Sequence, residues 1–346
     1  MQKYHFLVCF LPKNSDICIK FWDDKIMRKV IGIGETVLDI IFKDDQPVGA
    51  VPGGSVFNGI ISLGRAGINA TFISETGNDR VGEKIIKFLK DNNVNADNIN
   101  VYTNSKSPIS LAFLNEHNDA EYIFYKDHPC DQLDFTYPDV QRDDVVMFGS
   151  YYAVNPVIRP QVSAFLDYAR NRGAILYYDV NYRPSHQNEV MKLTSNILEN
   201  LEYADIVRGS YEDFDVMFNI KDPDKVYNAE VSFYCKKFIY THGKEPVSLH
   251  AEKLQKNYNV IKTETVSTIG AGDNFNAGFV YGLIKYGITK DMIDEGIDEE
   301  NWDKLIACAQ SFSGECCRSI NNSVDKAFGD RMKKEMIEYK LQHTEE

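Results

Sequence analysis

Short runs of apolar residues rich in valine and isoleucine alternate along this chain with longer stretches in which apolar positions recur every three or four residues. The runs at 29–33, 70–74, 145–149, 174–180, 205–208 and 238–241 predict strands, and helical spacing falls between them at 55–66, 81–92, 159–172, 189–201 and 226–236. Two more helices are predicted at 272–285 and 302–318. Alternation of this kind predicts a parallel sheet flanked by helices. Residues 36–51 and 108–125 break the rhythm. In the second of these, Ile109, Leu111 and Phe113, then Tyr122 and Phe124, alternate with other residues around Glu116-His117-Asn118-Asp119. That is the pattern of a hairpin, and the two pieces predict a small sheet apart from the main one.

Length changes the picture little: 346 residues suffice for one large α/β core with an appendage. The formal net charge of −13 argues against a nucleic-acid partner, because a phosphate backbone needs a concentrated basic surface. Seven cysteines, an odd number without a C-x-x-C pair, fit a reducing cytoplasm. Cys316 and Cys317 read either as a redox pair or as small apolar residues packed on a helix. The apolar run at 6–11 is too short for a signal peptide and is followed by charge, and no run reaches the roughly 20 residues that cross a bilayer, so no membrane partner is expected. Residues 1–26 precede the first convincing strand and read as an N-terminal extension, disordered or from an upstream start codon.

The strongest local chemistry lies at Ser267-Thr268-Ile269-Gly270-Ala271-Gly272-Asp273. A turn of small residues running straight into a helix aims unpaired backbone amides at one point, with the positive end of the helix dipole behind them. Such a cradle holds a phosphoryl group and stabilises charge developing on its oxygens. Asp273 stands beside it and could take the proton of an attacking hydroxyl; acids also favour helix starts for reasons of capping alone. The lysine-bearing loop G-x-x-x-x-G-K-[ST] is absent, and Gly32-Ile33-Gly34 lacks the third glycine of a dinucleotide loop, since Val37 takes its place.

Two further clusters carry candidate polar groups. Pro52-Gly53-Gly54-Ser55-Val56-Phe57-Asn58 opens a helix: the glycines permit close approach of a ligand, and the Asn58 amide can both donate to and accept from sugar hydroxyls. Asp39, in the first small-sheet piece, could accept from two hydroxyls. The alternative is a plain turn with Ser55 as the helix cap. Asp179-Val180-Asn181-Tyr182-Arg183-Pro184 follows a strand, the place where open α/β sheets bind ligands, and Asp179, Asn181 and Arg183 suit phosphate or magnesium. The alternative there is a turn with a surface salt bridge.

In this order the clusters resemble the PfkB/ribokinase family of carbohydrate kinases, fructokinase-like in detail, over about residues 29–322. The late signature D-T-x-G-A-G-D is similar to Ser267 to Asp273, the paired glycines followed by Asn to Gly53, Gly54 and Asn58, and D-x-N-x-R to Asp179, Asn181 and Arg183. The resemblance implies that Asp273 is the catalytic base, that Gly270, Ala271 and Gly272 form the anion hole, and that Asp39, Gly53, Gly54 and Asn58 hold the sugar, with Arg183 beside them. Lys126, where arginine is more usual, would reach the substrate as a point charge instead of a planar fork. Asn181, Ser210, Asp213, Thr241, Gly243 and Thr268 fall where the family holds the nucleotide. Asp213 and the adjoining Glu212 replace its N-x-x-E acid and would act on magnesium through water. Ser267 stands where the family usually has an aspartate near a monovalent cation, which removes a carboxylate from any potassium (K+) site.

The implied fold is a three-layer ribokinase-like α/β domain at 27–335, with a mostly parallel central sheet, a β-sheet lid from about 36–51 and 108–125, and a tail at 336–346. The implied activity is transfer of the ATP γ-phosphoryl group, with Mg2+, to a hydroxyl of a small carbohydrate, fructose first. Ribose, a nucleoside or 2-keto-3-deoxygluconate are alternatives, as is a non-catalytic sugar- or nucleotide-binding regulator on the same fold. A homodimer through the lid and a cytoplasmic location are expected.

Overall fold

A computed structural model describes residues 28–115, 120–126 and 136–343. The N-terminal extension at 1–26, the turn at 116–119, and Cys9, Cys18 and Cys130 lie outside the described residues. In chain order the strands are β1 Lys29–Ile33, β2 Val37–Lys43, β3 Gln46–Gly53, β4 Asn69–Gly77, β5 Val94–Asn95, β6 Ile99–Tyr102, β7 Ile109–Leu114, β8 Ala120–Tyr125, β9 Val145–Gly149, β10 Ile175–Asp179, β11 Ile206–Ser210, β12 Phe238–His242, β13 Glu245–Ala251 and β14 Leu254–Tyr258.

The main sheet has ten strands in the order β14-β13-β12-β11-β10-β9-β1-β4-β5, with β6 also paired to β4. From β12 to β6 every pairing is parallel, and only the β12-β13-β14 edge is antiparallel. Because successive strand residues point to opposite faces, β9 sends Val145 and Met147 into one core and Val146 and Phe148 into the other. Strand β10 does the same with Ile175 and Tyr177 against Leu176 and Tyr178. The first core is closed by the helices Ser55–Arg65, Arg80–Asp91, Ala271–Lys285, Glu299–Cys316 and Lys326–Gln342, the second by Arg159–Asn171, Val190–Tyr203 and Tyr211–Phe218. Fully buried Trp302 and Phe279 meet in the first core, each contributing about 1.5–3 kcal/mol of burial. Among the described residues no helix is long and apolar enough to cross a membrane.

Strands β3-β2-β7-β8 form a separate four-stranded sheet from the two pieces that broke the rhythm. The β2–β3 hairpin turns through Asp44 and Asp45, both at positive φ, the conformation that matches the twist of a two-residue hairpin loop.

Local differences from the sequence pattern have local causes. The helix expected at 226–236 begins earlier, at Pro223–Val226, because Asp222 caps it and Pro223 follows. It then widens at Tyr227–Val231, where the Ser232 amide reaches back to the Tyr227 carbonyl at 2.8 Å. The final helix, Lys326–Gln342, runs through the 335/336 boundary and buries Phe328, Met332 and Met336. Cys316 packs inside a helix and burial pushes its thiol up, so of the two expectations the packing one fits it.

Candidate active site

Asp273 sits at the third position of the Ala271–Lys285 helix, whose cap is Gly270 in the left-handed conformation at φ 75°. A side chain on Gly270 would strike the backbone of Asn322. The turn is anchored by Asn274, whose amide nitrogen donates to the carbonyls of Gly270 at 2.8 Å and Asn322 at 2.9 Å, while its oxygen accepts from the Ser62 hydroxyl at 2.5 Å. Of the three amides expected to form the anion hole, that of Ala271 is occupied by the Thr268 carbonyl at 3.1 Å. Gly270, Gly272 and Asp273 itself have no carbonyl partner for their amides among the described residues, so the open donors are these three. The turn is half-buried, not sealed.

The Asp273 carboxylate does not cap its own helix. One oxygen accepts from the Ser55 hydroxyl at 2.9 Å and the other from the Asn58 amide at 2.8 Å. Both donors lie on the helix that Gly53-Gly54 opens, and its cap is Gly54, not Ser55. The capping alternatives for Asp273 and Ser55 are therefore not what the fold uses. Burial raises the Asp273 pKa, countered by the Asn58 hydrogen bond and the positive charge of Arg183.

From the small sheet, β2 supplies Asp39, one oxygen of which accepts from Ser110 on β7 and the other from the Asn322 amide at 3.3 Å. Burial pushes Asp39 up to about 6, and the charges of Glu35 and Asp273 push the same way. Gly53 is required here because a Cβ on it would fall 2.5 Å from the Asp39 carboxylate. Lys126, after β8, is paired with Glu35 at the end of β1, a carboxylate that the sequence patterns did not single out. Tyr122 of β8 is raised mainly by burial, and its hydroxyl lies in the fields of Asp39, Arg183 and Asp273. Arg183 is exposed and has no carboxylate partner among the described residues.

The remaining candidates divide. Asn181 adopts positive φ, and its side-chain nitrogen is buried without a partner. Thr241 accepts from Arg208 at 2.6 Å, and Asp179 pairs with the same guanidinium at 2.9 Å. Gly243 turns β12 into β13 at φ 53° with open space around it, and Thr268 is exposed. Asp213 spends one oxygen on the Tyr182 amide at 2.8 Å and the other on the Ser210 amide at 2.6 Å, in a reciprocal capping box with Ser210. Burial raises it to about 6, with Asp179 adding to the effect. Ser210 and Asp213 thus shape the start of a helix, and direct metal ligation by Asp213 would break that box. Glu212 beside them is exposed, and no group of three metal-ligating side chains occurs among the described residues. A magnesium ion bound mainly by phosphates and water, with Glu212 in its outer sphere, fits this donor set.

Sequence patterns missed Arg208, Glu35, Ser110 and Asn322. An arginine inside the apolar strand Ile206-Val207-Arg208 is a readable signal, since a buried charge requires a partner. Gly32-Ile33-Gly34 leads into β2 instead of a helix, so it forms no dinucleotide loop.

Residues 27–322 match the family described as pfkB family carbohydrate kinase. The chain is 29% identical over 249 residues to 5-dehydro-2-deoxygluconokinase 1 of Bacillus cereus, covering 67% of this chain and 74% of that protein. Its fold is similar to fructokinase from Vibrio cholerae O395, solved with fructose, ADP and calcium, at 20% identity and TM-score 0.75 over 88% of this chain and 99% of that one. Aminoimidazole riboside kinase from Salmonella enterica gives 19% identity and TM-score 0.73 over 89% and 99%.

Proposed function

This chain belongs to the pfkB family of carbohydrate kinases, and we propose that within it the acceptor is a six-carbon keto sugar, with Asp273 as the base. As a member it is a phosphotransferase acting on an alcohol group, and kinases of the family use ATP, magnesium and a sugar. The observation that supports our reading is the meeting of Asp273 with Ser55 and Asn58 beside three open amides. Asp39, Gly53, Gly54 and Asn58 line the sugar side and orient the hydroxyl. Asp273 removes its proton as the phosphoryl group arrives, and the amides of Gly270, Gly272 and Asp273 hold the phosphoryl oxygens. Magnesium supplies charge neutralisation between the phosphates. Asn181, Thr268, Thr241 and Gly243 border the nucleotide. The sheet β3-β2-β7-β8 acts as the lid, shutting water out over the sugar.

For the acceptor we favour a keto sugar acid of the 5-dehydro-2-deoxygluconate kind. The curated relatives bear that substrate in their name, and unpaired Arg183, whose charge reaches Asp273 and Tyr122, is available for a carboxylate. Lys126 is already neutralised by Glu35. The second reading is fructose, supported by a sugar side whose contacts from Asp39 and Asn58 suit neutral hydroxyls. An ATP-coupled assay across 5-dehydro-2-deoxygluconate, fructose, ribose, a nucleoside and 2-keto-3-deoxygluconate decides. A higher kcat/KM for fructose sinks the acid reading, and no ADP release with any sugar points to a non-catalytic regulator.

We also propose a homodimer through the lid, where Val48, Ile123 and Tyr125 stand 57%, 43% and 55% exposed.

A further inference from the structure

We infer that Arg208 is a positioning residue for phosphoryl transfer, a fixed buried cation directly behind the glycine turn of the Ala271–Lys285 helix. The inference rests on the kinase reading above. Arg208 lies in the middle of the sheet, on β11, where parallel register sets it beside Asp179 of β10. One terminal nitrogen donates to Asp179 at 2.9 Å and the other to the Thr241 hydroxyl at 2.6 Å, so the plane of the guanidinium is set from both sides. The same two nitrogens lie 3.2 and 3.1 Å from where a Cβ on Gly272 would be. With no side chain on Gly272, the guanidinium packs against the backbone of the turn, and a Cβ there would crowd it. The ring of Phe275, one helix position past Asn274, covers the group at 5.9 Å.

A structural cation in an apolar sheet is a costly way to fill space, because a hydrophobic residue of similar volume packs there at least as well. Here Arg208 stays charged: burial works against the charge, and the carboxylates of Asp179 and Asp213 more than offset it. Its Nε, one Asp179 oxygen and the Asn181 amide nitrogen are all buried without partners, so the cluster around Arg208 retains unused polar capacity. The open amides of Gly270, Gly272 and Asp273 face the position where negative charge builds on the phosphoryl oxygens. A cation held behind them strengthens that stabilisation without reorganising during the reaction. Asp179 and Thr241 orient Arg208, and Arg208 acts through the turn.

The test uses the full chain with R208M and R208K. R208M should lose about 100-fold in kcat with both KM values within about threefold, and binding of ADP with aluminium fluoride, a mimic of the transferring phosphoryl group, titrated directly by calorimetry, should weaken by a similar factor. R208K keeps the charge but cannot reach both partners, and should stop about tenfold below the wild type. Wild-type kcat in either variant overturns the inference, as does a loss that vanishes when rates are normalised to the folded fraction or that lies wholly in KM. If R208M fails to fold, R208K decides by the same criteria. A wild-type chain that phosphorylates no sugar would sink the kinase reading alone, since ADP–aluminium fluoride binding reads Arg208 without sugar turnover.

Discussion

The Asp273 carboxylate and the Asn58 amide lie 2.8 Å apart although 215 residues separate them in the chain. That bond joins the Ser55–Arg65 helix to the Ala271–Lys285 helix. On the reading proposed above, it sets a buried acid between the sugar and the phosphate.

Asp273→Asn should lower kcat by about 1,000-fold or more, the scale of a lost general base. The fold should persist, because the substitution removes a charge that burial disfavours. Steady-state rates beside a thermal melt and ATP titration check this, and near-normal turnover removes Asp273 as the base.

Burial raises Asp273 and brings Asp39 to about 6, so both hold protons at pH values where an ordinary aspartate is ionised. The acid limb of the kcat/KM profile should therefore lie above the ordinary aspartate value, with Asp39 contributing a step near 6. The stability effect has the opposite sense. Between the ordinary aspartate value and about 6 the folded state binds more protons than the unfolded one, so Asp39 favours folding at low pH and loses that contribution as pH rises through 6. Melts of wild type and Asp39→Asn from pH 4 to 8 should diverge in that window.

Gly53→Ala places a methyl group 2.5 Å from the Asp39 carboxylate and should push it from its position between Ser110 and Asn322. The sugar KM should rise at least about tenfold, the loss of one well-placed charged hydrogen bond, while the ATP KM stays put. An unchanged sugar KM would remove Asp39 from the binding site.

The Glu35–Lys126 pair links the segment after β1 to the end of β8 in the small sheet. Glu35→Gln and Lys126→Met should each raise the sugar KM by about tenfold, and the double variant should lose little more, since the two residues act as one unit. Additive losses in the cycle would show that they act separately.

Ser267 is buried and its hydroxyl accepts from the Ile269 amide at 3.2 Å, with no carboxylate at that position for a cation. Turnover should be the same in sodium and potassium buffers. A potassium-dependent rise in kcat would show a cation site built from other groups.

Much of the architecture is readable from local pattern. Strands β1 and β9 begin and end where their apolar runs do, and the small sheet comes from the two stretches that break the strand-helix rhythm. The Lys326–Gln342 helix is not read from the sequence, because Phe328, Met332 and Met336, though at four-residue spacing, are sparse among polar residues. The antiparallel β13–β14 edge alternates in Val247, Leu249 and Ala251 and carries no ligand motif to draw attention to it.

The sequence by itself determined the α/β layering and the backbone chemistry of the glycine turns, because strand alternation, helical spacing and left-handed turns depend on residues within one or two turns of each other. Only the tertiary structure decided which amides of the late turn are open, that Asp213 closes a capping box, that Ser55 and Asn58 meet Asp273, that Asn322 meets Asp39, that Lys126 meets Glu35, and that Arg208 lies behind Gly272. Those facts depend on contacts across up to 283 positions, as between Asn322 and Asp39. Such contacts form only when two cores close on opposite faces of one sheet and force polar groups from distant segments to satisfy one another.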